Sequence, residues 1–120
     1  MSVLPQADRA IIPIEKFTKY SLSPERDFNK ATAFQIALGY TIEDSDMLIS
    51  EIRRNILNFI ATPKGHNGHG KTFECIMSIA GKNGNQANIL TSWIIDDGMD
   101  FPRLTNCYVT KKKARGCVCC

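Results

Sequence analysis

The sequence predicts an α+β domain in which N-terminal helices pack on a C-terminal antiparallel β-meander of three or four strands. The first observation is a change of hydrophobic period: apolar residues recur every three or four positions in residues 45–60, but alternate with polar residues in 71–80. The second is that Asn83-Gly84 and Asp97-Gly98, which are typical hairpin turns, separate the alternating segments. Helices that precede such a sheet pack on one of its faces, which leaves the other face available for function.

Three strands are predicted, near residues 71–80, 87–96 and 103–110. The second strand places Ile89, Thr91, Trp93 and Ile95 on one side. With isoleucines beside it, Trp93 is expected to anchor the core rather than to contact a ligand. Cys75 and Cys107 are expected to be small buried hydrophobic residues of the same sheet.

Three helices are predicted before the sheet, near residues 14–20, 28–38 and 45–60. The second ends at Gly39, a favourable residue for terminating a helix. The third has an acidic first turn and an apolar stripe that would face the core, formed by Leu48, Ile49, Ile52, Ile56 and Phe59. Thr62-Pro63 is predicted to end this helix, and residues 64–71 are predicted to form a loop. A short extra strand near residues 10–12 is left open.

The chain of 120 residues is long enough for one domain, which we expect to span residues 1–113. No apolar run approaches the roughly 18 residues of a membrane span. The N-terminus lacks the basic and apolar regions of a secretory signal peptide. We therefore expect a soluble domain that acts in the cytoplasm or is delivered into a target cell.

Positive charge is concentrated at the C-terminus. Four of the 15 basic residues lie in residues 111–120, which contain no acid, so the rest of the chain carries 11 basic and 12 acidic residues. A polyanion that binds the folded body must therefore meet a local cluster of lysine and arginine rather than a generally basic surface.

Three cysteines, Cys117, Cys119 and Cys120, crowd the last four residues. We expect residues 114–120 to form a flexible tail with adventitious thiols, and deleting them should then change the melting temperature by only about one or two degrees. Two other interpretations stay open. The first is lipid attachment, because a cysteine fourth from the end behind a basic run fits the spacing of a prenylation signal. The second is metal capture, for which three thiols alone are one ligand short of a structural zinc site.

The two histidines of the chain, His66 and His69, lie three residues apart in the glycine-rich segment 64–71. No carboxylate follows nearby and a flexible loop holds ligand geometry poorly, so we expect neither a metal nor another cofactor here. The glycines do not fit a phosphate-binding P-loop either. Histidine titrates near neutral pH, however, so both side chains are candidates for proton transfer.

The chain resembles a small bacterial domain of unknown function that occurs alone and at the C-termini of phage head proteins and polymorphic toxins. The resemblance covers roughly residues 7–113. It is carried by the following segments: Asn29-Lys30-Ala31, Leu38-Gly39-Tyr40, Thr91-Ser92-Trp93-Ile94, and Arg103-Leu104-Thr105 with Tyr108. It implies the helices-then-sheet order of the barnase-like and RelE-like ribonuclease toxins. Arg26 departs from the pattern, because relatives often have a histidine after the Ser-Pro-Glu turn.

The resemblance implies metal-independent RNA cleavage. That chemistry needs a base for the 2′-hydroxyl proton, an acid for the leaving 5′-oxygen, and cations or donors around the phosphorane. Lys30 and Arg103 are candidate cations, and Arg103 offers a fork of donors that suits phosphate. The remaining candidates are Thr91 and Thr105 as phosphate donors, Tyr108 as a stacking or proton-carrying group, and His69, His66 or Glu74 as the base.

Two function classes follow from this interpretation. One is a ribonuclease-type toxin domain whose partners are RNA and a cognate immunity protein. The other is a non-catalytic protein-binding module, such as an immunity or adaptor protein. The toxin predicts a polar cleft around Lys30, Thr91, Arg103 and Tyr108, whereas the binding module predicts a flat or apolar exposed patch.

Overall fold

The computed structural model, which describes residues 2–116, has the predicted strands and the helix at 28–38 close to their predicted bounds. The helix predicted near residues 45–60 ends at Asn55, and the one predicted near 14–20 is only a π-helical turn. The main elements are α1 (Phe28–Leu38), α2 (Ser45–Asn55), β1 (Ala61–His66), β2 (Gly70–Ala80), β3 (Gln86–Asp96) and β4 (Arg103–Thr110). Short 3-10 turns lie at Ala7–Arg9, Ile42–Asp44 and Ile56–Asn58, and a π-helical turn lies at Phe17–Ser21. The predicted α+β class is confirmed, and the sheet has four strands.

Local signals explain the ends of α1. The side chain of Asp27 accepts a hydrogen bond from the backbone N–H of Lys30 at 3.1 Å, which satisfies one free donor of the first turn. At the other end Gly39 adopts a left-handed conformation with φ of 77°, which costs glycine little. Between these ends α1 buries Phe34 and Leu38 in the core.

The four strands follow the order β1-β2-β3-β4, and every pair is antiparallel. Cys75 of β2, Thr91 of β3 and Cys107 of β4 are register partners in one row across the sheet. This row belongs to the face covered by the helices. Trp93 lies on the same face and is 1% exposed, which confirms it as a core anchor.

The face opposite the helices, which we call the second face, carries another row of register partners. Ile76 of β2 pairs with Leu90 of β3, which pairs with Tyr108 of β4. Leu90 is nevertheless buried. Tyr108 lies at the β4 end of this row, on the edge strand that runs beside α1.

The predicted loop over residues 64–71 is wrong except at residues 67–69, and Thr62-Pro63, the predicted end of the third helix, lies within β1. Residues 61–66 form the edge strand β1, and residues 67–69 alone connect it to β2. The strand was missed because it contains Pro63, has a bulge between Pro63 and Gly65, and exposes every side chain after Ala61. It therefore lacks the alternation that marks a half-buried strand.

Residues 111–116, which we call the C-terminal segment, run from β4 back to the start of β1. The backbone N–H of Ile60 donates to the carbonyl of Arg115 at 2.7 Å, and Phe59 forms a β-bridge with Gly116. The predicted domain boundary at residue 113 falls inside this segment. The three C-terminal cysteines lie outside the described residues, so the interpretations offered for them stay predictions.

Because residues 114–116 make these contacts, ending the chain at residue 113 should lower the melting temperature by several degrees, not by the about one or two degrees expected from the sequence. The truncation removes the acceptor of the Ile60 N–H, and Ile60 is only 8% exposed. An unsatisfied buried donor costs about 1–3 kcal/mol, which corresponds to roughly 4–12 °C in a domain of this size. Thermal unfolding followed by circular dichroism checks this, with a chain ending at residue 116 as the control. Equal melting temperatures would show that these contacts contribute nothing.

Candidate functional site

The structure does not bring the predicted site residues together in one cleft. Thr91 is 0% exposed. Its hydroxyl donates to the carbonyl of Cys75 at 2.7 Å and accepts from the indole N–H of Trp93 at 2.8 Å. Thr91 therefore stabilises the core, and its position keeps it away from a substrate.

Arg103 is the first residue of β4 and already forms an ion pair with Asp96. Its Nε and Nη2 atoms donate to the two carboxylate oxygens of Asp96 at 3.1 and 3.0 Å. This pairing lowers the pKa of Asp96 and raises the pKa of Arg103. The fork of donors that would suit a phosphate thus faces a carboxylate of its own chain.

Thr105 lies in the β-bulge of β4, opposite the register shift between Ser92 and Trp93. Its hydroxyl donates to the carbonyl of Ser92 at 3.1 Å. The side chain is half-buried, so Thr105 shapes the strand between Arg103 and Tyr108.

The two histidines lie near the β3–β4 turn. The Nε2 atom of His66 is 2.9 Å from a carboxylate oxygen of Asp97, and its Nδ1 atom accepts from the backbone N–H of Gly68 at 3.0 Å. A proton on Nε2 satisfies both contacts, which leaves no ring nitrogen of His66 unpaired. His69 is exposed, and its carbonyl accepts from the backbone N–H of Asp97.

This corner of the sheet is a poor site for RNA. Asp96 and Asp97 are consecutive residues at the end of β3, and Asp100 lies in the connection to β4. The carboxylates repel a phosphate backbone and one of them neutralises Arg103. Glu74, the other candidate base, lies on the second face, where it pairs with Thr62 and Ser92, whereas His66 pairs with Lys71 near the start of β2.

Lys30 and Tyr108, in contrast, come together. The ammonium of Lys30 donates to the side-chain oxygen of Asn106 at 2.9 Å and lies 5.5 Å from the ring centroid of Tyr108. It is also 3.8 Å from a carboxylate oxygen of Asp27. We call these four residues, Asp27, Lys30, Asn106 and Tyr108, the Lys30 cluster.

The Lys30 cluster is built on rigid elements. Asp27 and Lys30 belong to the first turn of α1, where the helix cap fixes both. The side-chain oxygen of Asn106 also accepts from the backbone N–H of Cys107 at 2.9 Å, which fixes the orientation of the amide. The ammonium of Lys30 is therefore held in place beside an aromatic ring.

A shallow pocket of about 230 Å³ opens at the Lys30 cluster. Its lining residues are Asn29, Lys30, Ala33, Tyr108 and Val109. Pockets for whole small molecules usually hold about 300–1,000 Å³, so this one suits a single planar group. An aromatic ring, apolar walls and one ammonium fit a nucleobase beside a phosphate.

Two members of the cluster were missed in the sequence, although signals for both were present. Asn106 precedes Tyr108 by two residues, so strand alternation places both on one face. Asp27 precedes Lys30 by three residues at the start of α1, which is the spacing of a helix cap.

The buried cysteines offer no reactive thiol. Burial raises the pKa of Cys75 to about 12 and also raises the pKa of Cys107. Both are free and buried, as predicted. Within residues 2–116, no three metal-binding side chains gather in one place, and no helix has the length and apolar character to cross a membrane.

The chain matches a known family. A family model described as a domain of unknown function, DUF6883, matches residues 3–111. No match to the chain is found among curated proteins or among solved structures. The match covers the helices, the whole sheet and the Lys30 cluster. The chain therefore belongs to the DUF6883 family.

Proposed function

We propose that the domain is a metal-independent ribonuclease-type toxin domain that binds RNA at the Lys30 cluster. The observation that carries this proposal is the ammonium of Lys30, fixed by Asn106 beside the ring of Tyr108. A cation of fixed position stabilises charge that develops on a phosphate, and the ring provides a stacking surface for a base. The resemblance to toxin-associated domains supports the same function.

The cluster contains groups for each part of the reaction. The carboxylate of Asp27 takes the proton of the 2′-hydroxyl, whose oxygen attacks the phosphorus. The ammonium of Lys30 stabilises the negative charge of the phosphorane. As the bond from phosphorus to the 5′-oxygen breaks, the phenol of Tyr108 gives that oxygen a proton. The products are a 2′,3′-cyclic phosphate and a free 5′-hydroxyl.

Expression of the domain in bacteria should arrest growth and fragment cellular RNA. Purified protein should cleave RNA in the presence of EDTA, because the proposed groups need no metal. The proposal fails if folded protein neither slows growth nor cleaves a total-RNA pool.

Two variants of Tyr108 separate its two roles. If the phenol donates a proton, Tyr108→Phe should lower the cleavage rate about 10²–10⁴-fold, the usual contribution of a general acid. If the ring only stacks a base, Tyr108→Phe should keep most of the activity and Tyr108→Ala should weaken RNA binding by about 1–3 kcal/mol. Single-turnover rates and binding of an uncleavable RNA decide between them. Full activity of Tyr108→Ala would exclude both roles.

A protein-binding module is the second candidate, because α1 exposes two large apolar side chains. Phe28 is 67% exposed and Ile36 is 74% exposed. Exposed apolar side chains that form a patch mark protein-interaction sites. For a binding module, the double variant Phe28→Ser/Ile36→Ser, rather than Lys30→Ala, should abolish association with the partner, and no RNA should be cleaved.

A further inference from the structure

The C-terminal segment carries a basic cluster that contains no acid. Lys111, Lys112, Lys113 and Arg115 are all exposed. The three lysines form none of the ion pairs found among residues 2–116. Their charges are therefore available to a polyanion, unlike the charge of Arg103, which Asp96 neutralises.

The backbone of this segment is held on the folded body. The backbone N–H of Lys112 donates to the hydroxyl of Thr110 at 3.2 Å, and the side-chain amide of Asn88 donates to the carbonyl of Lys112 at 2.9 Å. At its other end, the carbonyl of Arg115 accepts from Ile60. The backbone of Lys112 is thus held by side chains of β3 and β4, and the end of the segment is held next to β1.

The path of the segment connects it to the Lys30 cluster. Lys111 follows Tyr108 by three residues. Further along, Lys113 and Arg115 line one small pocket with Ile76 and Glu74. Ile76 belongs to the same cross-strand row as Tyr108. Basic side chains therefore follow the second face from the Lys30 cluster at β4 towards β1.

We propose that the C-terminal segment is a phosphate-binding ridge that holds the backbone of the RNA strand engaged at the Lys30 cluster. This inference rests on the proposed function, and it adds the course of the substrate and the source of its affinity. Lysine binds phosphate as a compact point charge, and phosphate contacts carry no direct sequence information. The ridge therefore supplies affinity without sequence preference, through release of the counterions bound to the RNA.

The salt dependence of binding tests the ridge. Full-length protein is titrated against a fluorescent single-stranded 2′-O-methyl RNA, which lacks the attacking hydroxyl, at several salt concentrations. The triple variant Lys111→Gln/Lys112→Gln/Lys113→Gln should reduce the slope of log K against log salt by about 2, since each lost single-strand phosphate contact contributes about 0.7. The control is Lys19→Gln/Lys64→Gln/Lys71→Gln, which removes the same charge from exposed positions elsewhere. Its slope should stay unchanged.

A second variant tests whether the ridge must be docked. Asn88→Ala removes no charge but removes the donor to the carbonyl of Lys112. It should weaken RNA binding several-fold at fixed salt, whereas a flexible basic tail would bind equally well without this contact. Unchanged affinity of Asn88→Ala would overturn the docked ridge.

The other outcomes are equally decisive. Equal losses in the two triple variants would show general electrostatic attraction and overturn the ridge. Binding of anionic lipid vesicles without binding of RNA would assign the segment to a membrane surface and also overturn it. Ridge-dependent RNA binding without cleavage of unmodified RNA would support the ridge while removing the proposed ribonuclease activity. Cleavage without ridge-dependent binding would support the ribonuclease activity and overturn the ridge.

Discussion

Lys30→Ala is expected to lower the rate of RNA cleavage about 10²–10³-fold, which is the usual effect of removing one donor to developing transition-state charge. The ammonium is fixed by Asn106 before the substrate arrives, so little reorganisation is needed when charge develops on the phosphate. Single-turnover cleavage rates measure the effect. Circular dichroism verifies the fold, since loss of this partly exposed contact should cost only about 1 kcal/mol.

Two comparisons make this prediction specific. Lys19→Ala removes the same charge from an exposed site and should leave the rate unchanged. Arg103 is a candidate from the sequence alone, but Arg103→Ala should lower the cleavage rate much less than Lys30→Ala. The reason is that the guanidinium of Arg103 already donates two hydrogen bonds to Asp96. A larger loss for Arg103→Ala would move the RNA site to the other end of β4.

Thr91→Val is expected to lower the free energy of unfolding by about 2–4 kcal/mol. The substitution keeps the shape of the side chain but removes the acceptor of the buried Trp93 indole N–H and the donor to the Cys75 carbonyl. A buried polar group left without a partner costs about 1–3 kcal/mol. Urea unfolding of both proteins measures the difference.

Thr105→Val is the matched control for Thr91→Val. It removes a hydroxyl from the neighbouring strand, but that hydroxyl is half-buried and makes one hydrogen bond. We expect a loss of about 1 kcal/mol or less. If Thr91→Val instead abolished cleavage at unchanged stability, Thr91 would belong to the active site and not to the core.

Much of the fold could be predicted because it follows from short-range patterns. The apolar stripe of α2 is confirmed by the burial of Leu48 and Ile52. In β3 the predicted inward side is buried at Ile89 and Trp93, but Leu90 and Ile94 on the other side are buried as well. The strand β1 gives no such signal, because its edge position leaves almost every side chain exposed. Edge strands depend on their partner strand rather than on their own pattern.

The candidate site was harder to predict because it depends on partners that the sequence does not reveal. Alternation places Thr91 on the side of Trp93, but it does not reveal which polar atoms form hydrogen bonds with its hydroxyl. Arg103 is seven residues from Asp96, and the turn between β3 and β4 brings them together. Residue type identifies a candidate cation, whereas its availability depends on contacts across the fold.

The sheet offers a partner protein little backbone for strand addition. Along β4, the backbone N–H of Ile11 donates to the carbonyl of Pro102, and the carbonyl of Ile11 accepts from the N–H of Leu104. The hydroxyl of Ser21 donates to the carbonyl of Cys107. Along β1, Pro63 lacks an N–H and a bulge interrupts the register. Edge-to-edge association of two copies and β-augmentation by a partner are both disfavoured at such edges. If the domain is the toxin proposed above, its inhibitor is therefore expected to recognise side chains rather than a sheet edge.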